Sequence, residues 1–121
     1  MMASKARVFG DDEVLKEILS VVSPHDAKKL GRKVRNFDEA VWKAHRLNAV
    51  IDGNMYKFSQ NEALRHYLVG TGQQVLVEAS PYDRIWGIGM TAQDKAACEP
   101  GRWKGLNLLG FALMSVRESL L

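Results

Sequence analysis

The chain has 121 residues, 46% of them apolar and 26% charged, with a formal net charge of +3. That length suits one domain with one core, and that balance excludes a disordered chain. A single cysteine, Cys98, excludes an internal disulfide. No Cys/His cluster has zinc spacing, and no apolar stretch reaches the length of a membrane span or a signal peptide. The chain therefore reads as cytoplasmic, with no metal or cofactor and no membrane contact. Its mild basicity suits an anionic small molecule and admits nucleic acid as a partner.

The chain opens on "MMASKARVFG", which begins as though already inside a helix and so predicts that an N-terminal segment is missing. "DDEVLKEILSVV" follows as an amphipathic helix, with Val14, Leu15, Ile18, Leu19 and Val22 on one stripe and Asp11 as N-cap. In "SPHDAKKLG", Ser23 caps, Pro24 takes the first helical position, Asp26 sits where a capping-box acid belongs, and Gly31 stops the helix. "NFDEAVWKAHRLNAVIDGNMYKF" reads as one longer helix, weakened in its later part by Gly53. Val41, Trp42, His45, Asn48 and Ala49 lie near one of its faces.

"SQNEALRHYLVGTG" predicts a capping box from Ser59 to Glu62 and a helix that ends at the glycines. "QQVLVEAS" is the clearest strand: short, β-branched and flanked by breakers. "IWGIGM" reads as a second strand or an extended loop, and "TAQDKAACEPGRW" as a polar connection. "LNLLGFALMSVRESLL" closes the chain as a helix, with Leu108, Leu109, Ala112, Leu113 and Val116 toward the core.

The chemistry concentrates in "EASPYDRIWGIGM". Glu78, at the end of the predicted strand, is either a general acid or a solvent-facing carboxylate. Asp83 either caps its own turn or stands beside Trp86 to stabilise a cationic sugar. Trp86 is either core or a stacking face for a base, with Gly87 and Gly89 leaving room for a ligand. Elsewhere, Trp42 reads first as core and otherwise as a second stacking face, and Arg32 lies in the basic run "KKLGRKVR", which is a solvated helix end or a phosphate site. Asn107, at the start of the last helix, is either an N-cap or a group that meets a ligand.

"KFSQNEALRHYLVGTGQQVLVEASPYDRIWGIGM", followed by "WKGLNLLGFALMSVR", resembles the NADAR family of N-glycosidases. The matching motifs are Lys57 to Asn61, Thr71 and Gly72, Glu78, Asp83 to Gly89, Gly105 to Gly110, and Leu113 to Arg117. The upstream "SPHDAKKLGRKVRNFDEAVW" is similar to the family's A-x-x-x-G-R and W elements. The resemblance implies a small, single NADAR-like domain over residues 1–121. Its expected class is α+β, predominantly helical, with a short β-sheet element and a truncated N-terminus.

The implied reaction cleaves the bond between a base nitrogen and a phosphorylated ribose. The substrate would be a phosphoribosylamino-pyrimidine of riboflavin biosynthesis or ADP-ribose attached to guanine. Trp42 and Trp86 would stack the base, and Arg32 would meet phosphate. Gly87, Gly89 and Asn107 would line the pocket, and Glu78 or Asp83 would counter the oxocarbenium-like charge. Ala3 and Lys5 match the final A-x-K of the family's S-x-E-x-Y-x-x-A-x-K helix, so Lys5 would be the lysine linked to the reaction through a Schiff base. The family's catalytic Glu precedes that match. This leaves a second reading, a catalytically impaired fragment or a non-catalytic module that binds a nucleotide or ADP-ribose. Loss of the segment would also expose apolar surface and favour self-association.

Overall fold

Six α-helices and two short 3-10 turns make up the regular structure of the computed structural model, which describes residues 1–121. The helices are α1 (Met2–Val8), α2 (Asp12–Ser20), α3 (Pro24–Gly31), α4 (Glu39–Gln60), α5 (Glu62–Gly70) and α6 (Leu108–Ser119). The 3-10 turns, Lys95–Cys98 and Pro100–Arg102, fall in the predicted polar connection. The chain divides into two compact units, Met1–Ala49 and Val50–Leu121.

In the first unit, α1, α2 and α3 pack on one another around Ala6, Val14, Ile18 and Val34. The caps are the expected ones. Asp11 accepts from the Val14 amide at 3.2 Å, and Ser23 accepts from the His25 amide at 3.1 Å, with Pro24 opening α3. Asp11 does more than cap. Its side chain is fully buried and also takes the Arg35 backbone amide (2.8 Å), Nε (3.2 Å) and Nη2 (2.9 Å). One carboxylate thus ties the start of α2 to the chain that follows α3. These bonds with Arg35 hold its pKa well below the usual carboxylate range, although burial pushes the other way. Leu19 and Val22, assigned to the apolar stripe of α2, are exposed instead.

In the second unit, Leu68 of α5 and Val116 and Leu120 of the α6 end form one cluster, against which Ile51, Met55, Phe58, Leu76 and Leu113 pack. A smaller cluster holds Ile88, Met90 and Ala96, covered by Trp103. The Ser59–Glu62 capping box does not form. Helix α4 runs through Ser59 to Gln60, and the Ser59 hydroxyl donates back to the Tyr56 carbonyl. Asn61 caps α5, accepting from the Leu64 amide at 3.1 Å.

The expected α+β class is overturned, because the fold is all-helical and contains no strand or sheet. In "QQVLVEAS", Gln73 closes the turn after α5 and residues 74–80 form no regular element, and "IWGIGM" is a series of bends. The physical reason lies in the bonding. A strand is defined by ladder bonds to a neighbouring backbone. Here the Leu76 carbonyl and the Glu78 amide find their partner in one side chain, Asn107, each at 2.9 Å. The amide groups of Asn107 replace the two bonds that a neighbouring strand would make. Val75 and Val77 are 61% and 40% exposed, and their backbone groups form no bond to another backbone.

Candidate active site

The turn after Glu78 is built almost wholly from backbone. The Glu78 carbonyl accepts from the Ser80 amide at 3.0 Å and the Ile88 amide at 2.9 Å, closing the loop between them. Inside that loop, Asp83 Oδ1 accepts from the amides of Ile85 (3.0 Å) and Trp86 (2.8 Å). Asp83 therefore caps its own turn, as an Asp in "SPYD" favours. Trp86 is half-buried. Its amide is fixed by Asp83, and its carbonyl accepts from Leu109 of α6 at 3.1 Å.

The glycines serve this packing. A Cβ on Gly87 would lie 2.9 Å from both the Asp83 and the Glu78 carbonyl oxygens, so only glycine lets these three stretches of backbone approach. Gly89 has φ +71°, and a Cβ there would lie 3.0 Å from the Lys104 Cβ. Both glycines are buried, and the space they leave is filled by the protein's own chain.

Helix α6 begins against the same turn. The carbonyls of Arg84, Ile85, Trp86 and Gly87 accept from the amides of Leu106, Leu108, Leu109 and Asn107, at 2.9 to 3.1 Å. The free amides of a helix start are thereby satisfied by backbone rather than by a capping side chain. Asn107 is released from capping. It adopts φ +53°, is fully buried, and turns its amide onto Leu76 and Glu78. Its side chain thus has no surface to offer a ligand. Gly110 completes the contact: a Cβ there would collide with the Leu76 carbonyl and the Asn107 amide.

The Glu78 carboxylate is exposed and takes part in no ion pair or protein hydrogen bond. The second unit therefore brings Glu78, Asp83, Trp86, Gly87, Gly89 and Asn107 into one knot. In it, Glu78 offers a free carboxylate and Trp86 a partly open indole.

The remaining candidates lie in the first unit. Lys5 is half-buried on α1, with Nζ 4.5 Å from the centre of the Phe37 ring, which Phe9 meets edge-on at 5.2 Å. Burial lowers the Lys5 pKa, and the Glu39 carboxylate partly opposes this. Arg32 follows α3, exposed and without a carboxylate partner. Trp42 is 8% exposed, so its indole belongs to the interior of α4's packing rather than to a surface.

Two features escaped the sequence reading. One is a groove of about 500 Å³ in the second unit, lined by Ser59, Glu62, Arg65, His66, Val69 and Leu120, which contains none of the predicted site residues. The other is the role of Arg117, the last residue of the Leu113 to Arg117 motif: it is only 8% exposed, and its Nη1 donates to Thr71 Oγ1 (2.9 Å) and to the Gln74 carbonyl (2.8 Å). An Arg in the last turn of a helix reads as a dipole partner, and nothing in its spacing reveals a bond made across more than 40 residues.

A helical domain in which a glycine-tightened turn holds an exposed acid near an aromatic is the class defined by this geometry. The chain belongs to the NADAR domain family, whose profile matches residues 1–121. It is similar to N-glycosidase R617 of Acanthamoeba polyphaga mimivirus, 48% identical over 118 residues, which cover 98% of this chain and 69% of that protein. It is also similar to N-glycosidase YbiA of Escherichia coli (strain K12), 32% identical over 116 residues, covering 96% of this chain and 66% of that protein. A third relative is the chloroplastic riboflavin biosynthesis protein PYRR of Zea mays, 33% identical over 113 residues, covering 90% of this chain but only 16% of that protein. The chain thus spans about two thirds of the length of the two N-glycosidases.

Proposed function

We propose that this chain acts as an N-glycosidase on a nucleotide-like substrate, splitting the bond between a base nitrogen and C1′ of a phosphorylated ribose. The observation that carries this reading is the family match along all 121 residues, together with 48% identity to a protein named as an N-glycosidase. Water supplies hydroxyl to C1′ and a proton to the departing base, so no other reactant is needed.

The chemistry of each group supports a role. As the C1′–N bond breaks, positive charge develops on the sugar, and a fixed carboxylate nearby lowers that barrier. Glu78 suits this task, since its backbone is held at both N–H and C=O while its carboxylate is uncommitted. Asp83 has one oxygen engaged by two amides, which suits it to fixing Trp86 for a base to stack against. The partly desolvated amine of Lys5 suits reversible condensation with the aldehyde of a ring-opened ribose, with loss of one water. Arg32, exposed and unpaired, suits phosphate.

The test is release of free base from a phosphoribosylamino-pyrimidine and, separately, from guanine-linked ADP-ribose. Turnover of either supports the reading, and Glu78→Gln should then lower kcat by roughly 100-fold or more. ADP-ribose binding without turnover of either compound would favour the non-catalytic module instead.

A further inference from the structure

Arg117 presents a cost that the fold alone does not explain. Its side chain is largely buried, yet no carboxylate pairs with it, and Nη1 alone makes hydrogen bonds to the protein. Burying a cation without a counter-charge is unfavourable unless hydrogen bonds to fixed acceptors offset it. Both of its bonds go to neutral oxygens just beyond α5, where a helix end concentrates partial negative charge.

The acceptors follow a pattern. Arg117 bonds the Gln74 carbonyl, while Asn107 bonds the Leu76 carbonyl and the Glu78 amide. The bonded positions 74, 76 and 78 alternate, the spacing at which a strand turns its backbone groups to one edge. Along that edge the Gln74 and Leu76 carbonyls and the Glu78 amide are therefore held by two side chains, one from each end of α6. The opposite edge, at Val75 and Val77, makes no backbone bond. With no sheet to set its course, the segment takes its register from α6.

We propose that Arg117 and Asn107 together are positioning residues, which fix the segment 74–78 so that the Glu78 carboxylate stands where the reaction needs it. This rests on the assignment of Glu78 above. Neither residue touches substrate in this account, and both act through the backbone.

The test uses the full chain with Arg117→Met, Arg117→Lys and Asn107→Asp. The last keeps the acceptor for the Glu78 amide but removes the donor to Leu76. Amide hydrogen exchange reports the clamp directly. Exchange at Glu78 should quicken by about tenfold or more in Arg117→Met and Asn107→Asp, while the α2 amides keep their rates. Kinetics report its purpose. With a phosphoribosylamino-pyrimidine, kcat should fall by about 100-fold in Arg117→Met with KM within about twofold, as for a displaced reacting group. Arg117→Lys should recover most of the loss.

Unchanged exchange at Glu78 would overturn the clamp. Quickened exchange with an unchanged kcat would overturn its role in positioning. A Glu78→Gln variant with full kcat would instead remove the assignment of Glu78, and would overturn the positioning role while leaving the clamp to the exchange result. If the wild-type chain shows no turnover, the activity reading and this positioning role fall together, and exchange alone decides the clamp.

Discussion

In Met1–Ala49, ten lysines and arginines face seven carboxylates, whereas Val50–Leu121 carries seven of each. The two units are also fastened differently. In the first, a buried carboxylate, Asp11, takes three bonds from Arg35, so a charge pair closes the helical packing. In the second, a neutral amide, Asn107, does the equivalent task, and the largely buried Arg117 bonds only neutral oxygens. A pair of charges is sensitive to acid, while an amide clamp is sensitive to shape, because its two bonds require close approach of backbone. Each unit should therefore fail under a different insult.

The largest effect is expected from shape. Gly110→Val places atoms on the Leu76 carbonyl and the Asn107 amide, in a contact that already excludes one carbon. Overpacking of this kind costs about 3 kcal/mol. Urea unfolding in a Trp42→Phe background, followed by Trp86 and Trp103 fluorescence, should show that loss in the second unit. An unchanged midpoint would mean that the clamp yields freely, and the contrast between the units would collapse.

Charge comes next. The ordinary Asp11 pKa is 3.8, and the native value lies well below it. The unfolded chain therefore binds the extra proton first, and stability falls as pH drops through 3.8 toward the native value. Above 3.8 the contribution is complete. Asp11→Asn keeps the size and one acceptor but abolishes the charge, so its stability at neutral pH should drop. Its acid limb, followed by Trp42 fluorescence, should also flatten. An acid limb as steep as that of the wild type would show that other carboxylates carry the acid response.

Local rules explain which of these features could be read in advance. Asp11, Ser23 and Pro24 act within three residues of themselves, and their caps form as the sequence predicts. The break between α4 and α5 was misplaced by two residues because Ser59 found a carbonyl on its own helix, leaving Asn61 to cap. The predicted strand failed for a longer-range reason. "QVLV" has the composition of a strand, but a strand needs a neighbour, and this segment meets a side chain instead. Trp42 packs inside, as its residue type favours, whereas the resemblance points it and the glycines toward a ligand; the surroundings of Gly87 and Gly89 are protein, a fact set by packing that sequence spacing does not encode. The family motifs located the Glu78–Gly89 knot, although they did not show that its glycines serve the backbone.

The smallest effect concerns Lys5, and it sharpens the charge side of the contrast. Burial disfavours the ammonium form, so the amine deprotonates below 10.5, while Glu39 favours the ammonium and limits the shift. Between the native pKa and 10.5 the unfolded chain holds more protons, so stability rises slightly with pH across that window. The group remains mostly solvated, so reactivity is the better readout. Competitive acetylation should give Lys5 a lower midpoint in the folded chain than in the same chain unfolded in urea. Removing the opposing charge with Glu39→Gln should lower the folded midpoint further. If Glu39→Gln raised that midpoint, or if the folded and unfolded midpoints coincided, Lys5 would be an ordinary surface amine, and its proposed condensation with an opened ribose would lose its physical basis.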